Sequence, residues 1–258
     1  MIRPLLFRSL LLLASSALVS ACHDEGSAPE PEPAPGRFNL HFDHVAGGSP
    51  LVLNTGEYTT GQGETFRVSD LRYYVSNLHL TRADGSTWVE PNSYRLIAHG
   101  QATAQHATVQ GVPAGEYTAI SFLIGVDSLR NTAGAQTGAL DPSHNMFWDW
   151  NQGYVFFRLV GSSPQAPGQA LGYDVAGFRH PFNTLRTVRL TLPGGAALRI
   201  RADNAPEVHI KADVLRLFDG PHPIRLAQTY FVAGGADAMK LADNYAAGMF
   251  RIDHVHGN

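Results

Sequence analysis

The sequence has 258 residues, a net charge of −3 and a hydrophobic content of 44%. A chain of this length can bury a large core, and its slightly acidic balance, without runs of lysine or arginine, argues against nucleic acid as a partner. It contains one cysteine, so no disulfide can form within it, and its stability must come from packing, polar pairing or a metal.

Residues 1–21 are predicted to be a lipoprotein signal peptide. A positively charged start is followed by an apolar run that is too short to be a stable membrane span. The segment ends in the letters VSA before Cys22, and a branched apolar residue followed by two small ones fits the pocket of a lipoprotein signal peptidase. Lipidation would also consume the thiol, which is a liability in an oxidising compartment. The alternative is an ordinary signal peptide followed by an accidental cysteine.

Residues 22–36 are predicted to be the lipidated cysteine and a tether of alternating proline, glutamate and alanine, which cannot bury apolar surface. The lipid chains would make a membrane the first partner of the protein and place it in the cell envelope. His23, which follows the cysteine, favours the outer membrane over the inner one.

Residues 37–258 are predicted to form one all-β domain, an antiparallel β-sandwich with a long functional loop and at most one short C-terminal helix. Stretches rich in β-branched and aromatic residues alternate with turns rich in glycine and proline, a pattern typical of sandwiches and barrels. The helix is predicted over 238–250, where apolar residues follow the helical period. The predicted strands cover 38–45, 66–81, 93–99, 116–126, 153–161, 187–194, 197–202, 207–218 and 229–234.

A loop of small and polar residues over 129–145 runs into the sequence MFWDWNQGY at 146–154. Loops of this length in compact domains are usually functional or disordered. Two tryptophans directly after it, Trp148 and Trp150, indicate an ordered and functional loop. The alternative is that both tryptophans belong to the core.

Four segments of the sequence resemble the MbnP-like family, the periplasmic or surface copper-binding proteins associated with methanobactin and copper-repressible systems. The resemblance implies a β-sandwich that holds one mononuclear copper. In characterised relatives, histidines bind the metal beside a tryptophan that a di-haem enzyme has oxidised to kynurenine, and a TonB-dependent or other metal transporter is a further implied partner. The segments are GETFRVSDLRYYVSNLHL (63–80), VPAGEYTAISFLIGVDS (112–128), GALDPSHNMFWDWNQGYVFFRLVG (138–161) and DNYAAGMFRIDHVH (243–256).

By this resemblance Trp148 is the residue expected to become kynurenine, and Trp150 is the second choice. One branch of the family has a histidine in the place of Trp150, and many relatives have one in the place of Asp174. At both positions this chain departs from those relatives.

Twelve histidines offer imidazole, a good ligand for copper and zinc. His254 and His256 form the best local pair, because residues i and i+2 of a strand point to the same face. Asp253 is placed to orient one of the two imidazoles from behind. The alternative is that this segment is a solvated polar tail.

The N-terminal strand carries two more histidines. His41 and His44 are three residues apart, so a regular strand sends them to opposite faces, and His44 is predicted to be the ligand. His144 lies four residues before Trp148 and is a further candidate. The other histidines of the domain are expected to be surface or satisfied core residues: His79, His99, His106, His180, His209 and His222.

The leading hypothesis is a cell-envelope lipoprotein that captures or stores one copper ion. The rival is a metal-free scaffold or ligand-binding lipoprotein that uses the aromatic loop. The sequence has no Gly-x-Ser-x-Gly motif, phosphate-binding loop or catalytic cysteine, so we expect no enzyme, with a copper oxygenase as the lesser alternative. The predicted metal ligands are His44, His144, His254, His256 and, after oxidation, Trp148.

Replacing the lipidated cysteine tests the anchoring hypothesis. The variant Cys22→Ser should receive no lipid, and its precursor should stay uncleaved by lipoprotein signal peptidase, because both steps require the thiol. Cell fractionation and intact mass spectrometry measure this outcome. A variant that still fractionates with membranes as a mature, acylated species would contradict the predicted lipobox.

Overall fold

The computed structural model describes residues 33–134, 136–149 and 151–258. The predicted signal peptide, Cys22 and Trp150 lie outside these residues. Strands dominate the described part of the chain, and the fold is all-β as predicted. The strands are β1 Gly36–Ala46, β2 Ser49–Pro50, β3 Tyr58–Thr59, β4 Thr65–Thr81, β5 Thr87–Val89, β6 Tyr94–Ala98, β7 His106–Val112, β8 Gly115–Tyr117, β9 Ala119–Ile124, β10 Phe147–Asp149, β11 Gly153–Ser162, β12 Ala170–Ala176, β13 Arg186–Thr191, β14 Leu198–Ile200, β15 Glu207–Asp213, β16 Phe231–Ala233 and β17 Phe250–His256.

Helices are few in the described residues, and none of them is long and apolar enough to cross a membrane. The C-terminal helix predicted over 238–250 is present and begins three residues earlier. Two single-turn helices were not predicted. The helices are α1 Ala102–Gln105, α2 Ser128–Asn131 and α3 Gly235–Gly248, and short 3-10 turns occur at Gly138–Leu140, Pro142–His144, Pro167–Gln169, Pro193–Gly195 and Val214–Leu217.

Two sheets pack face to face in the domain. The five-stranded sheet has the order β17-β15-β1-β2, with β7 also paired to β1, and the ten-stranded sheet has the order β13-β9-β4-β11-β12-β16. Short strands extend the large sheet, because β3, β5 and β6 pair with β4 and β10 pairs with β11. Strands β8 and β14 form a separate two-stranded sheet.

Alternation of apolar and polar residues along β1 builds the core between the sheets. Phe38, Leu40 and Phe42 are fully buried, whereas the residues between them are partly exposed. The Phe42 ring packs edge-on against Tyr73 of β4 and Phe122 of β9, with ring centroids 6.1 and 6.2 Å away. Burying one such side chain stabilises the fold by about 1.5–3 kcal/mol. Burial of these three side chains therefore determines which face of β1 is exposed to solvent.

Two strand pairs are parallel, which differs from the purely antiparallel sandwich that was expected. β1 pairs in parallel with β15, and β12 pairs in parallel with β16. Parallel neighbours need a long connection, and most of the large sheet lies between β1 and β15 in the chain. Sequence periodicity indicates which residues share a face, but it contains no information on the direction of a distant neighbour.

Seven strands were not among those predicted: β2, β3, β5 and β10, which have two or three residues each, and the longer strands β7, β12 and β17. Strand β7 has few buried side chains, and a glycine lies near its end, so its apolar alternation is weak. Strand β17 begins at Phe250, two residues after α3 ends, and its first residue fell within the predicted helix. Both β7 and β17 carry histidines, His106 and His254, into the five-stranded sheet.

A second apolar cluster covers the outer face of the large sheet. Tyr74 and Phe156 belong to it, whereas their chain neighbours Tyr73 and Phe157 point into the core between the sheets. The long loop packs on this cluster, which Met146 and Trp148 join from the loop side. The loop and the five-stranded sheet thus lie on opposite sides of the domain.

Candidate metal centre

A row of four histidines crosses the solvent face of the five-stranded sheet. His41 of β1 is in register with His209 of β15 on one side and with His106 of β7 on the other. His209 is in register with His254 of β17. We call these four residues the histidine row. Each comes from a different strand, so the row exists only in the folded sheet.

The core determines that the row faces solvent. The residues flanking His41 are Leu40 and Phe42, and those flanking His209 are Val208 and Ile210. All four flanking side chains are fully buried. Successive side chains of a strand point to opposite faces, so burial of the flanking residues turns the imidazoles outward.

A β-bulge in β17 brings a carboxylate to the same face. Ile252 is in register with Ile210 and His254 with His209, so Asp253 is an extra residue between the two pairs. The bulge lets Asp253 reach its own neighbour, with its Oδ2 atom 3.0 Å from Nδ1 of His254. Hydrogen bonds from Lys211, Arg251 and His254 hold the pKa of Asp253 well below its usual range. The carboxylate is therefore ionised and accepts from all three.

Three imidazoles converge at one end of the row. We call His209, His254 and His256 the histidine triad. The Nε2 atoms of His254 and His256 are 3.0 Å apart, and the rings of His209 and His254 are stacked with centroids 4.4 Å apart. One ring nitrogen from each of the three residues lies within 4.8 Å of the others. His254 and His256 are exposed and His209 is half-buried, so the triad is open to solvent on one side.

Carboxylates hold the far side of two triad imidazoles. Oδ2 of Asp43 lies 2.9 Å from Nδ1 of His209, as Asp253 does for His254. An ionised carboxylate only accepts hydrogen bonds, so each favours a proton on Nδ1, which is the tautomer whose Nε2 can bind a metal. Carboxylate–histidine pairs of this kind orient metal-binding imidazoles and raise their basicity.

Glu207 adds a carboxylate on the near side. Its Oε1 atom lies 3.2 Å from Nε2 of His209 and 3.5 Å from Nδ1 of His41. Ligand atoms of these three residues also lie within 4.8 Å of one another. Burial lowers the pKa of His41. The carboxylates of Asp43 and Glu207 raise this pKa and the imidazoles of His106 and His209 lower it, and the net shift is downward. His41 is therefore favoured as a neutral imidazole with a free lone pair.

The two groups just described are the only sets of three or more metal-binding side chains that converge within 33–134, 136–149 and 151–258. Both lie on the five-stranded sheet, and His209 belongs to both. Imidazole and carboxylate donors suit zinc and copper. The donor set therefore fits a mononuclear transition-metal ion.

His44 lies in the interior, away from the triad. It is buried, its Nε2 is 3.0 Å from the hydroxyl oxygen of Tyr73, and its ring is 4.8 Å from that of His99. Burial lowers the pKa of His44 to about 3, with a smaller contribution from the nearby imidazole of His99. The predicted opposite placement of His41 and His44 is observed, but the structure places His41, not His44, in a group that could hold a metal.

His144 and Trp148 lie in the loop on the opposite side of the domain. Nε2 of His144 contacts the carbonyl oxygen of Gly138 at 3.0 Å within the loop. Trp148 is half-buried and lines a surface cleft together with Asn151, Phe178 and Arg179. Both sheets separate these residues from the triad, so the structure does not bring Trp148 or His144 together with His254 and His256.

The long loop is ordered by buried polar contacts. Asn131 is buried, its Oδ1 accepts from the backbone N–H of Tyr154 at 3.0 Å, and its Nδ2 donates to the carbonyl of Val126. Asp127 caps α2 and accepts from the hydroxyl of Tyr94. These contacts fix the segment that positions Trp148.

Asp174, where many relatives were expected to have histidine, forms an ion pair. Its two carboxylate oxygens accept from Nε and Nη2 of Arg158 at 2.6 and 2.7 Å. The same guanidinium donates to the carbonyl oxygen of Asn145 in the loop at 2.6 Å. Asp174 thus holds an arginine that fastens the loop.

The sequence predicts His254 and His256, which the structure places together, but it does not predict His41 and His209 as ligands. The signal for His209 was the alternation Val208-His209-Ile210, which turns the imidazole away from any core that those neighbours enter. Register with β17 was not readable, because it depends on strands far apart in the chain.

Comparison with known proteins gives a family match. The MbnP family model matches residues 35–239. The chain is similar in structure to MbnP from Methylosinus trichosporium, with a TM-score of 0.52 at 14% identity over 78% of this chain and 82% of that one. At this identity the likeness establishes the fold. No curated protein matches the chain. The matched residues include His41 and His209, whereas His254 and His256 follow them.

The buried His44 should make stability depend on pH. Its folded pKa of about 3 lies below the unfolded value of about 6.5, so the unfolded chain binds the proton more readily and stability falls as pH drops below about 6.5. In metal-free protein, His44→Gln should reduce the slope of unfolding free energy against pH by up to about 1.4 kcal/mol per pH unit between about pH 5.5 and 4. Urea unfolding at a series of pH values measures the slope.

Replacing an exposed histidine, His180→Gln, controls for the loss of an imidazole as such. An unchanged slope in His44→Gln would show that His44 takes up its proton equally well in the folded and unfolded chains.

Proposed function

The chain belongs to the MbnP family, and on that premise we propose that it binds one copper ion at the histidine triad, in the cell envelope. The observation that carries the proposal is the convergence of His209, His254 and His256 on one exposed face. The family is associated with copper. Copper binds imidazole sites more tightly than the other divalent first-row metals do.

The surroundings of the triad support metal binding rather than an accidental cluster. Without a bound cation, placing three imidazoles side by side would add little to the stability of the fold. Two of them have a carboxylate behind the ring, at 2.9 and 3.0 Å, in the arrangement that metal-binding histidines adopt. The carboxylates of Asp43 and Asp253 also offset the positive charge that an ion would bring.

Exposure of the triad favours capture and transfer over sealed storage. His254 and His256 lie on strand β17 at the edge of the sheet, and both imidazoles are exposed. An incoming ligand can therefore reach the ion from solvent and replace the imidazoles one at a time. In this proposal Cys22 anchors the domain to a membrane by its lipid, and a transporter or carrier exchanges the ion.

Removing the triad should abolish tight copper binding. The variant His254→Ala/His256→Ala and the single variant His209→Ala lose ligands, so their copper affinity should fall by more than the about 10–100-fold that loss of an outer carboxylate causes. Asp253→Asn should show that smaller loss. Competition titration against a chelator of known affinity measures each value, with metal-free protein as the starting material.

His79→Ala is the matched control, because His79 lies on β4 of the other sheet. It should bind copper as the wild type does, and circular dichroism should show intact β structure in all variants. Unchanged copper affinity in the double variant would move the site away from the triad. A wild-type chain that binds no copper would favour the metal-free scaffold.

We further propose that Trp148 is oxidised to kynurenine in the native host, as the family resemblance implies. The side chain is half-buried in a cleft that opens to solvent, where an oxidising enzyme can approach. Unmodified indole offers only an N–H donor, whereas ring opening produces an aryl amine with a lone pair. Because Trp148 and the triad lie on opposite sides of the domain, its oxidation should leave the triad unaffected.

Mass spectrometry of protein from the native host tests this second proposal. The Trp148 peptide should show the net replacement of one carbon by one oxygen, because dioxygen adds two oxygens and hydrolysis then releases formate. The variant Trp148→Phe should keep wild-type copper affinity. Unmodified tryptophan at both 148 and 150 would end the kynurenine proposal. Loss of copper in Trp148→Phe alone, with the triad variants unaffected, would place the copper in the loop.

A further inference from the structure

We infer that Glu207, together with His41, is a ligand arm that divalent ions recruit and Cu(I) does not. This inference rests on the proposed copper site and adds a dependence on oxidation state to it. Its basis is that the triad and the group of His41, Glu207 and His209 meet at one shared imidazole.

The shared residue makes the two groups alternatives for one ion. Asp43 lies 2.9 Å from Nδ1 of His209, so Nε2 is the atom left for coordination in either group. Nε2 has one lone pair and binds one ion at a time. Glu207 approaches this same atom, with Oε1 at 3.2 Å. An ion bound to His209 therefore lies within reach of both the triad and the carboxylate.

The backbone holds Glu207 beside the triad. Glu207 is directly opposite His256 across the β15–β17 pair and opposite Asn39 across the β1–β15 pair. Side chains that face each other across neighbouring strands share one face of the sheet. The carboxylate is half-buried between the triad and His41, so it needs no large movement to reach a bound ion.

The two groups differ in donor chemistry. The triad offers only imidazoles, which satisfy Cu(I), a soft ion that sites with few ligands can hold. The second group adds a carboxylate, a hard anionic donor that suits divalent ions. Two histidines with one glutamate form an established ligand set for Zn²⁺. Cu(II) and Zn(II) also carry the extra positive charge that a carboxylate offsets.

Comparing Glu207→Gln with Glu207→Asp tests the inference. Glu207→Gln removes the charge and the anionic donor, and Glu207→Asp keeps the charge but shortens its reach. In both variants the affinities for Cu(II) and Zn(II) should fall at least about tenfold, because loss of even an outer partner of a metal ligand costs about that much. The Cu(I) affinity, measured under reducing conditions, should change less than twofold. His41→Ala should show the same pattern, and Glu116→Gln, on β8, is the control.

Voltammetry provides a second readout that a folding defect would not mimic. A tenfold loss of Cu(II) affinity with unchanged Cu(I) affinity raises the reduction potential of the bound copper by about 59 mV. Absence of that rise, or equal losses for Cu(I) and Cu(II), would overturn the inference. If the Cu(II) and Zn(II) affinities fall in Glu207→Gln but not in Glu207→Asp, Glu207 acts only as a distant charge, and the inference that it is a ligand is overturned.

Copper and zinc binding by the wild-type chain shows whether only this inference fails or the proposed function fails as well. If it binds copper through the triad but Glu207 shows no selectivity, only the inference falls. If it binds neither copper nor zinc, both proposals fall together.

Discussion

The parallel pairing of β1 with β15 is the constraint on which the histidine row depends. Leu40 and Phe42 are in register with Val208 and Ile210, and burial of these four side chains fixes the register. A slip by one residue would turn the imidazoles into the core and the apolar side chains into solvent. The free energy of the hydrophobic core therefore positions His41 beside His209. Strands β7 and β17 then add His106 and His254 at the two sides of this pair.

The sequence was sufficient for the fold class and for the long strands, because alternation is strong where one face is buried. It did not show which strands are neighbours in a sheet or whether they run parallel. The partner of β1 lies far along the chain, and nothing within β1 indicates that β15 runs parallel to it. Strands β7 and β17 were also missed, because each contributes few buried side chains to the core.

Because the sequence does not show which distant strands pair, it predicts only those parts of the site that lie within one strand. His254 and His256 are neighbours in sequence, so the two-residue period alone put them on one face. The choice between His41 and His44 needed knowledge of which face is buried, and the flanking Leu40 and Phe42 contain that information. The sequence predicts the role of Asp253 beside His254. The bulge in β17 and the contact from Asp43 to His209 could not be predicted, because both depend on how distant strands pair. A sequence can indicate ligands within one strand more readily than ligands shared among four.

The opposite placement of the loop and the histidine face has a consequence for assembly. Two stacked sheets lie about 10 Å apart, and their outer layers of side chains add to this separation. A protein that docks on the cleft of Trp148 covers the outer face of the large sheet and leaves the edge strand β17 free. A second protein that exchanges an ion with His254 and His256 can occupy its own face at the same moment. Under the two proposals, oxidation of Trp148 and transfer of the copper ion would therefore not compete for surface, and a ternary complex could form without either partner leaving.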